Sequence, residues 1–502
     1  MGKRVTTTVK VFSGITNDPR DPSEGAAQMI TNFDIFTDPR RMIPVRDSED
    51  GDSGSSTSQK QNFCVALRTG TTYRLYGLGV VSGDNRAEVL MKDLTTGLSS
   101  DLSDSGWLTP ANNQSSSGST NFNLFVYYAR TGLIYGARAG SAIWAFDPSS
   151  SAAWADTSHS LSYTNIAQGL VHSKDDVLYI AYDNKIASNN NGSWTDTALT
   201  LPSHLVINSI EERGNFLFIA CAPLSGIGKS VGFYWDRDSS LATLSESVDL
   251  GEGVVKVAAE VDGELITISL AGGNSTRIKH RIIFRTVNGS QAKKFRELLS
   301  TTSPTLSIAK QKVDNRLYFL MTGTFAGAIR EGLWAIGRIT STSPFAVSNE
   351  RTPNNDTALG NGTLHNFIMV GDYTFISYTN NSNAKAVSKT NDQASYTATS
   401  IYEKKFIEPI GETKNVIAET VLFEPLPAAG QVVLKTRKNE QTVWSTVQTF
   451  STDNELMLEA TRLADGTKFG DHVERDRRIE STGGAVITGL MFTEEIKPDG
   501  KV

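Results

Sequence analysis

The sequence has few cysteines and no long apolar runs. Cys64 and Cys221 are its only cysteines among 502 residues, which excludes a disulfide framework or a cysteine-rich zinc site, so we expect two buried free thiols. No run approaches the roughly 18 apolar residues of a membrane-spanning helix. Residues 1–12 lack the apolar core of a secretory signal. The sequence therefore predicts no membrane insertion.

The sequence is also poor in signs of catalysis. Its net charge of -6 gives no general attraction to nucleic acid or to an anionic membrane. The six histidines never fall at a metal-ligand spacing, and no GxSxG nucleophile motif occurs. The stretch Cys221–Ser230 ends like a phosphate-binding loop, but Pro223 stands where that motif needs glycine. We therefore predict no catalytic residue, no metal, no cofactor and no enzymatic activity.

From residue 60 onward the sequence predicts repeated β-structure. Short runs rich in β-branched and aromatic residues recur, each after a polar turn. Their centres follow one another at intervals of roughly 40–60 residues, which is typical of the blades of a β-propeller. We predict an all-β fold with a degenerate propeller of about seven blades, with six or eight left open. The centres are Tyr73, Ile134, Leu178, Leu217, Ile266, Tyr318 and Phe375.

Three stretches of the propeller region depart from this pattern. Ser290–Ser300 has the spacing of a two-turn helix between blades. The uneven intervals predict loop insertions at Ser99–Asn121 and Ser343–Asn361. These insertions are candidates for contacts with neighbouring subunits or with a host.

The composition predicts three segments. Residues 1–59 form an extended N-terminal strap followed by an acidic loop, residues 60–402 form the propeller, and residues 403–502 form a small antiparallel β-sandwich. The last segment alternates apolar and polar residues and contains two hairpin patterns with Pro or Gly turns.

The strap, residues 13–46, is too apolar and aromatic for a disordered tail. Its apolar side chains follow no helical period, so we expect each to fill a separate pocket. Its four prolines predict an extended segment that stays out of sheet interiors. We expect the strap to close the propeller or to bridge it to the sandwich. The prolines are Pro19, Pro22, Pro39 and Pro44.

Seven side chains are candidates for contacts with a partner or ligand. Arg277, Lys279 and Arg281 share one face if their stretch is a strand, and such a basic stripe suits an acidic partner or a channel wall. A solvated outer face is the favoured interpretation of this stripe. Arg40 and Arg41 could meet an anion or partner, although pairing within the fold is favoured. Trp107 and Trp154 lie in loop-like stretches and could stack on a sugar, although core packing is favoured.

Three motifs together resemble β-propeller virion proteins of tailed bacteriophages. They are "NFDIFTDPRRMIP" in the strap (32–44), "FEPLPAAGQVVLKTRK" (423–438) and "RIESTGGAVITGL" (478–490). The blades match that group only in their recurring short apolar runs between polar turns. The resemblance implies a structural component of the virion tail, as a nozzle, tail-tip or fibre-attachment protein, without catalytic residues.

The resemblance also implies partners and location. We expect a cyclic homo-oligomer, with a hexamer favoured in a tail, docked onto other virion tail proteins and in passive contact with the DNA channel. The protein would be made in the host cytoplasm and incorporated into the virion. Alternatives are a capsid-surface protein, a propeller that binds host-surface glycans, and a glycosidase, which would need carboxylates converging on the central pocket.

Overall fold

The computed structural model describes most of the chain as β-structure. Among the described residues there is no α-helix, and therefore no helix long and apolar enough to cross a membrane. The described residues are 3–15, 27–38, 40–50, 58–69, 72–81, 87–93, 107, 120–138, 142–149, 155–238, 246–272, 280–325, 328–353, 363–379, 385–390, 396, 399–407, 412–438, 441, 443–451, 456–472 and 474–498.

The chain divides into two compact units. The propeller unit comprises Glu49–Gly323 and Asp356–Thr390, and the sandwich unit comprises Met1–Ser48, Thr324–Asn355 and Asn391–Val502. These divisions differ from the expected boundaries at residues 59 and 402. The strap and the last segment belong to one unit, and a stretch expected in the propeller, Thr324–Asn355, belongs to that unit as well.

Among the described residues, five short or edge strands precede the blades. The first lies at the N-terminus, and residues Glu49 and Asp50 of the fifth already belong to the propeller unit. The five strands are β1 (Lys3–Val9), β2 (Met29–Thr31), β3 (Phe33–Asp34), β4 (Ile43–Pro44) and β5 (Ser48–Asp50).

Consecutive strands of the propeller unit form antiparallel groups, as expected for blades. The first blade has β6 (Ser58–Thr69), β7 (Thr72–Val81) and β8 (Ala87–Asp93). The second has β9 (Thr120–Tyr128), β10 (Leu133–Arg138), β11 (Ala142–Phe146) and β12 (Ala155–Ser160). The third has β13 (Ile166–His172), β14 (Val177–Tyr182), β15 (Lys185–Asn190) and β16 (Ser193–Thr200).

The later blades follow the same order. The fourth has β17 (Leu205–Arg213), β18 (Phe216–Pro223), β19 (Lys229–Trp235) and β20 (Glu246–Glu252). The fifth has β21 (Val254–Val261), β22 (Glu264–Ala271), β23 (His280–Asn288) and β24 (Gln291–Ser300). The sixth contributes β25 (Thr305–Val313) and β26 (Arg316–Phe325) to this unit. The seventh has β29 (Thr363–Val370), β30 (Tyr373–Thr379) and β31 (Lys385–Thr390), with β5 as its outermost strand.

The first strands of the seven blades form a closed ring. Each one contacts the first strand of the next blade, and β29 returns to contact β6. Apolar clusters fill the wedges between blades; between the third and fourth, the Trp235 ring packs edge-on against Tyr179 with centroids 5.7 Å apart. Each predicted centre lies in the second strand of its blade. The prediction of an all-β fold with about seven propeller blades is therefore confirmed.

The predicted helix at Ser290–Ser300 is wrong. Residues Gln291–Ser300 form β24, which pairs antiparallel with β23 from His280↔Ser300 to Asn288↔Gln291. Pairing with the neighbouring strand satisfies the backbone groups and overrides the local helical spacing. The expected insertion Ser343–Asn361 is likewise partly a strand, since it contains β28 (Phe345–Arg351).

The further strands of the sandwich unit are β27 (Ala328–Arg338), β32 (Ser400–Ile407), β33 (Glu412–Phe423), β34 (Gln431–Lys438), β35 (Ser445–Phe450), β36 (Met457–Ala460), β37 (Asp471–His472), β38 (Glu474–Thr482) and β39 (Ile487–Pro498).

Two large sheets build the described part of the sandwich unit, and β3 and β4 form a separate two-stranded sheet. One large sheet has the order β1-β39-β33-β36, with β37 beside β33. The other contains the order β28-β2-β32-β38-β34-β35, and β27 pairs with β28. The expected alternation is clear in β38, whose residues are buried at every second position.

The strap enters a sheet interior, contrary to the expectation from its prolines. Met29–Thr31 pairs antiparallel with β32, and Thr31 is also paired parallel with Asn349 of β28. The physical reason is that this part of the strap contains no proline, so its N–H groups remain free to bond. The first strand is also built in, because Lys3–Val9 pairs with the last strand, β39.

Candidate functional site

A β-bulge interrupts every inner strand of the propeller. In each blade the register between the first and second strands shifts near the same level of the ring, for example at Val255/Val257 and at Leu364/Asn366. The other five blades also shift at this place, by one extra residue in three of them, two in β25 and three in β9. A bulge adds a residue and re-aims side chains, so each blade presents polar groups at one level.

These polar groups line a cavity of about 730 Å³. All seven inner strands, or the turns that lead into them, contribute to its wall. Six blades place an asparagine or serine there, and the fifth places Lys256. The six are Asn62, Asn123, Asn165, Asn208, Ser307 and Asn366.

Several of these side chains bind the next blade. Asn123 Nδ2 donates to the carbonyl of Ile166 at 2.8 Å, and Asn208 Nδ2 donates to that of Val255 at 2.7 Å. The Ser307 hydroxyl donates to the carbonyl oxygen of the seventh-blade residue His365 at 2.7 Å. The polar ring therefore joins blades at the cavity wall.

A second polar layer repeats this linkage three or four residues further along the chain. Glu211 Oε1 accepts the N–H of Glu260 at 3.1 Å, from the fourth blade to the fifth. Gln311 bonds both backbone groups of Met369, at 2.7 and 2.9 Å. Gln168 Oε1 accepts from the next blade in the same way. These bonds hold the inner strands in fixed register with one another.

Lys310 crosses the ring as a buried cation. Its Nζ lies 2.8 Å from Glu211 Oε2 and 2.7 Å from the carbonyl oxygen of Ile210. The side chains of Lys310 and Glu211 are only 7% and 4% exposed, and Lys312 lies 2.7 Å from the same carboxylate. Burial opposes ionisation of Glu211, but the two ammonium groups outweigh it and lower its pKa. The charge of Lys310 is therefore compensated.

Lys256 differs from Lys310 because the described structure gives its ammonium group no hydrogen bond or ion pair. It is half-buried, at the bulge of β21, and it lines the cavity. Burial lowers its pKa, with no neighbouring charge contributing. Among the described residues that line the cavity, none is Asp or Glu, so Lys256 supplies an uncompensated positive charge.

The described wall of the cavity therefore lacks the carboxylate pair on which most glycosidases depend. A Ser–His–Asp group occurs elsewhere, between the third and fourth blades, but its members are otherwise engaged. His172 Nδ1 lies 2.9 Å from Arg237 Nη1, and its Nε2 lies 3.3 Å from the carbonyl oxygen of Phe216. The Ser173 hydroxyl bonds Glu212. This group lacks the serine–histidine hydrogen bond of an activated nucleophile.

Trp107 is not available to a sugar in this structure, which corrects its candidacy as a contact residue. It is 4% exposed and belongs to an apolar cluster. Its ring stacks on Phe63 at 6.1 Å and meets Phe375 edge-on at 6.0 Å. Core packing, the favoured interpretation of Trp107, is what the structure shows, and the burial comes from strands distant in the chain.

Two of the three predicted basic residues that the structure describes are paired. Arg281 forms a double hydrogen bond with the Glu252 carboxylate, at 2.7 and 2.8 Å. Arg41 pairs with Glu424, and Arg40 is exposed. Trp154, Arg277 and Lys279 lie outside the described residues.

The polar ring was missed from the sequence. A signal existed, since most inner-strand stretches carry an Asn or Ser at one equivalent place. Bulges change the alternation of faces, however, and only the register identifies which residue faces the cavity.

The three resemblance motifs meet in the sandwich unit. Met42 and Ile487 exchange backbone hydrogen bonds of 2.9 and 3.2 Å, joining the first motif to the third. Arg41 pairs with Glu424 of the second motif, whose N–H donates to the carbonyl of Val486 at 3.0 Å. Segments from both ends of the chain thus form one junction.

Comparisons with known proteins add little. No family model and no curated protein matches the sequence. A solved chain described as a glycoside hydrolase matches with a TM-score of 0.29 and 10% identity, over 89% of this chain and 99% of that one. A Trypanosoma rangeli sialidase mutant displaying trans-sialidase activity matches with a TM-score of 0.33 and 10% identity, over 97% of this chain and 95% of that one. Similarity this weak carries no argument, so the assignment of the fold rests on the ring of strands.

Proposed function

We propose that this protein is a non-enzymatic structural component of a tailed bacteriophage virion, located in the tail as a nozzle, tail-tip or fibre-attachment protein. The supporting observation is the junction of the three motifs that carry the resemblance. Contacts such as Met42 with Ile487 and Arg41 with Glu424 make these motifs one structural module.

The construction of the sandwich unit suits a particle component. Its first strand pairs with its last, and Met29–Thr31 lies between β28 and β32. Backbone pairing between distant segments restrains each of them, and a rigid body can repeat the same contact around a symmetry axis. The proposed partners are further copies in a cyclic oligomer, with a hexamer in a tail, and other tail proteins.

Mass spectrometry and immunogold electron microscopy of purified virions test the location. We expect the protein in purified particles, with gold label at the tail. Its absence from particles, while it is present in the infected-cell lysate, would contradict the proposal. Gold label on the capsid surface would support a role in the virion but would contradict the location in the tail.

Carbohydrate recognition is a second candidate function. The observation that favours it is the cavity wall, where amide side chains from several blades supply both donors and acceptors for sugar hydroxyl groups. A glycan array probed with the full-length protein tests this function. We expect a few structurally related glycans to bind, and a blank array with folded protein would reject it.

A further inference from the structure

We propose that the central cavity binds a carboxylated sugar, such as a uronic acid residue, and that Lys256 contacts its carboxylate. This inference rests on the second candidate function, carbohydrate recognition, and specifies the charge class of the ligand. It is independent of the proposed place in a virion.

The described cavity wall carries a positive charge that no carboxylate matches. Two of the described lining residues are lysines, Lys256 and Lys310, and the Lys310 ammonium lies 2.8 Å from the Glu211 carboxylate. No described lining residue is acidic, so the ammonium of Lys256 is left without a counter-charge. A partly buried cation without a partner favours an anionic ligand, because the ligand replaces the water lost on burial with a charge-assisted hydrogen bond.

Amide side chains on the same cavity wall have unused hydrogen-bonding groups. The Asn165 side chain makes no hydrogen bond in the described structure, and Gln168 uses its Oε1 while its NH₂ group stays unbonded. Both belong to the third blade, and Lys256 belongs to the fifth. A ligand near Lys256 could therefore also bond neutral donors and acceptors, which suits hydroxyl groups rather than a bare anion.

The volume of the cavity suits a small sugar. A volume of about 730 Å³ lies within the range of small-molecule sites. It accommodates a sugar of one or a few rings. A single cation among amides is also too little charge for a polyanion such as nucleic acid, whose affinity depends on many phosphate contacts.

The test compares two disaccharides that differ only in their carboxylates, digalacturonate and galactobiose. Isothermal titration calorimetry uses the full-length protein. We expect digalacturonate to bind at least tenfold more tightly than galactobiose, as a charge-assisted hydrogen bond implies. Acetate alone should bind more weakly than digalacturonate.

Variants of one blade locate the site. Lys256→Gln should abolish the preference for digalacturonate, and Lys256→Arg should retain it. Lys293→Gln, at an exposed position of β24 in the same blade, should behave like the wild type. Thermal unfolding verifies that each variant is folded, and the charge-retaining arginine variant keeps the test decisive if the glutamine variant is destabilised.

The possible failures can be told apart. Equal binding of both sugars overturns the inference about charge but leaves carbohydrate recognition standing. A preference that survives Lys256→Gln overturns the role of Lys256. If neither sugar binds, the inference is overturned, and so is carbohydrate recognition as the function on which it rests. The proposed presence of the protein in virions is unaffected by that result.

Discussion

Asn366 Nδ2 donates a hydrogen bond to Asn62 Oδ1 at 2.7 Å, which joins the seventh blade to the first. Each amide is oriented by the next residue of its own strand. The N–H of Phe63 donates to Asn62 Oδ1, and the N–H of Phe367 donates to Asn366 Oδ1, both at 2.7 Å. The ring is thus closed at the cavity by side chains held in place before they meet.

Removing this closing bond should destabilise the propeller unit. Asn366→Ala leaves the Asn62 oxygen with one bond fewer and removes an oriented donor. We expect a loss of about 1–2 kcal/mol in the free energy of unfolding, measured by denaturant titration. Asn288→Ala, at an exposed hairpin end, should stay within about 0.5 kcal/mol of the wild type. An equal loss in both variants would contradict a specific closing role.

The buried ion pair of Lys310 and Glu211 should respond asymmetrically to mutation. Glu211→Leu removes the carboxylate that two lysines share and strands a buried ammonium, so we expect a loss of about 3–5 kcal/mol. Lys310→Met leaves Glu211 paired with Lys312 at 2.7 Å and should cost less. Chemical denaturation of the two single variants provides the comparison.

The double variant provides the control for this pair. Glu211→Leu combined with Lys310→Met removes both charges, so its loss should be smaller than the sum of the two single losses. Simple additivity would show that the two side chains do not interact as the geometry indicates.

The blade pattern could be predicted because it is local. Each second strand is a short apolar run between turns, so centres such as Leu178 and Ile266 identified real strands. Their number gave the number of blades without knowledge of any pairing.

Features that depend on distant pairing could not be predicted. Gln291–Ser300 became a strand because β23 offers backbone partners, and Met29–Thr31 entered a sheet whose other strands are distant in sequence. Lys256 was overlooked because a bulge decides where it points. Burial of Trp107 depends on strands of two blades. Propensity and period carry no information on such contacts.

Asn32 tests how the strap is held. Its backbone has φ of 59°, in the left-handed region, and its side-chain oxygen accepts the N–H of Thr352 at 3.1 Å. The same oxygen accepts from Thr352 Oγ1 at 3.3 Å, and Nδ2 donates to the carbonyl of Thr399 at 3.4 Å. Asn32→Ala loses these bonds and strains the backbone, whereas Asn32→Gly loses only the bonds. We expect losses of about 2–3 and about 1 kcal/mol in the free energy of unfolding, respectively.

Asn191 is the matched control for this position. It also has a positive φ, of 51°, but lies exposed in a hairpin of the third blade. Asn191→Ala should show only the backbone cost, and Asn191→Gly should be nearly neutral. If Asn32→Gly were as harmless as Asn191→Gly, the side-chain anchor of the strap would be unimportant.

Glu331 should give the sandwich unit a measurable pH dependence. It lies in β27, its buried Oε2 atom has no hydrogen-bond partner in the described structure, and burial raises its pKa to about 7. The folded state therefore holds a proton that the unfolded state releases from about pH 4.5 upward, so this group's contribution to stability falls between pH 4.5 and 7. Glu331→Gln should match the wild type near pH 4.5 and be more stable by about 1–3 kcal/mol at pH 8. Thermal unfolding across this pH range measures the difference. Glu459→Gln, at an exposed position, is the control for the loss of one carboxylate. A pH-independent offset in stability between Glu331→Gln and the wild type would refute the raised pKa of Glu331.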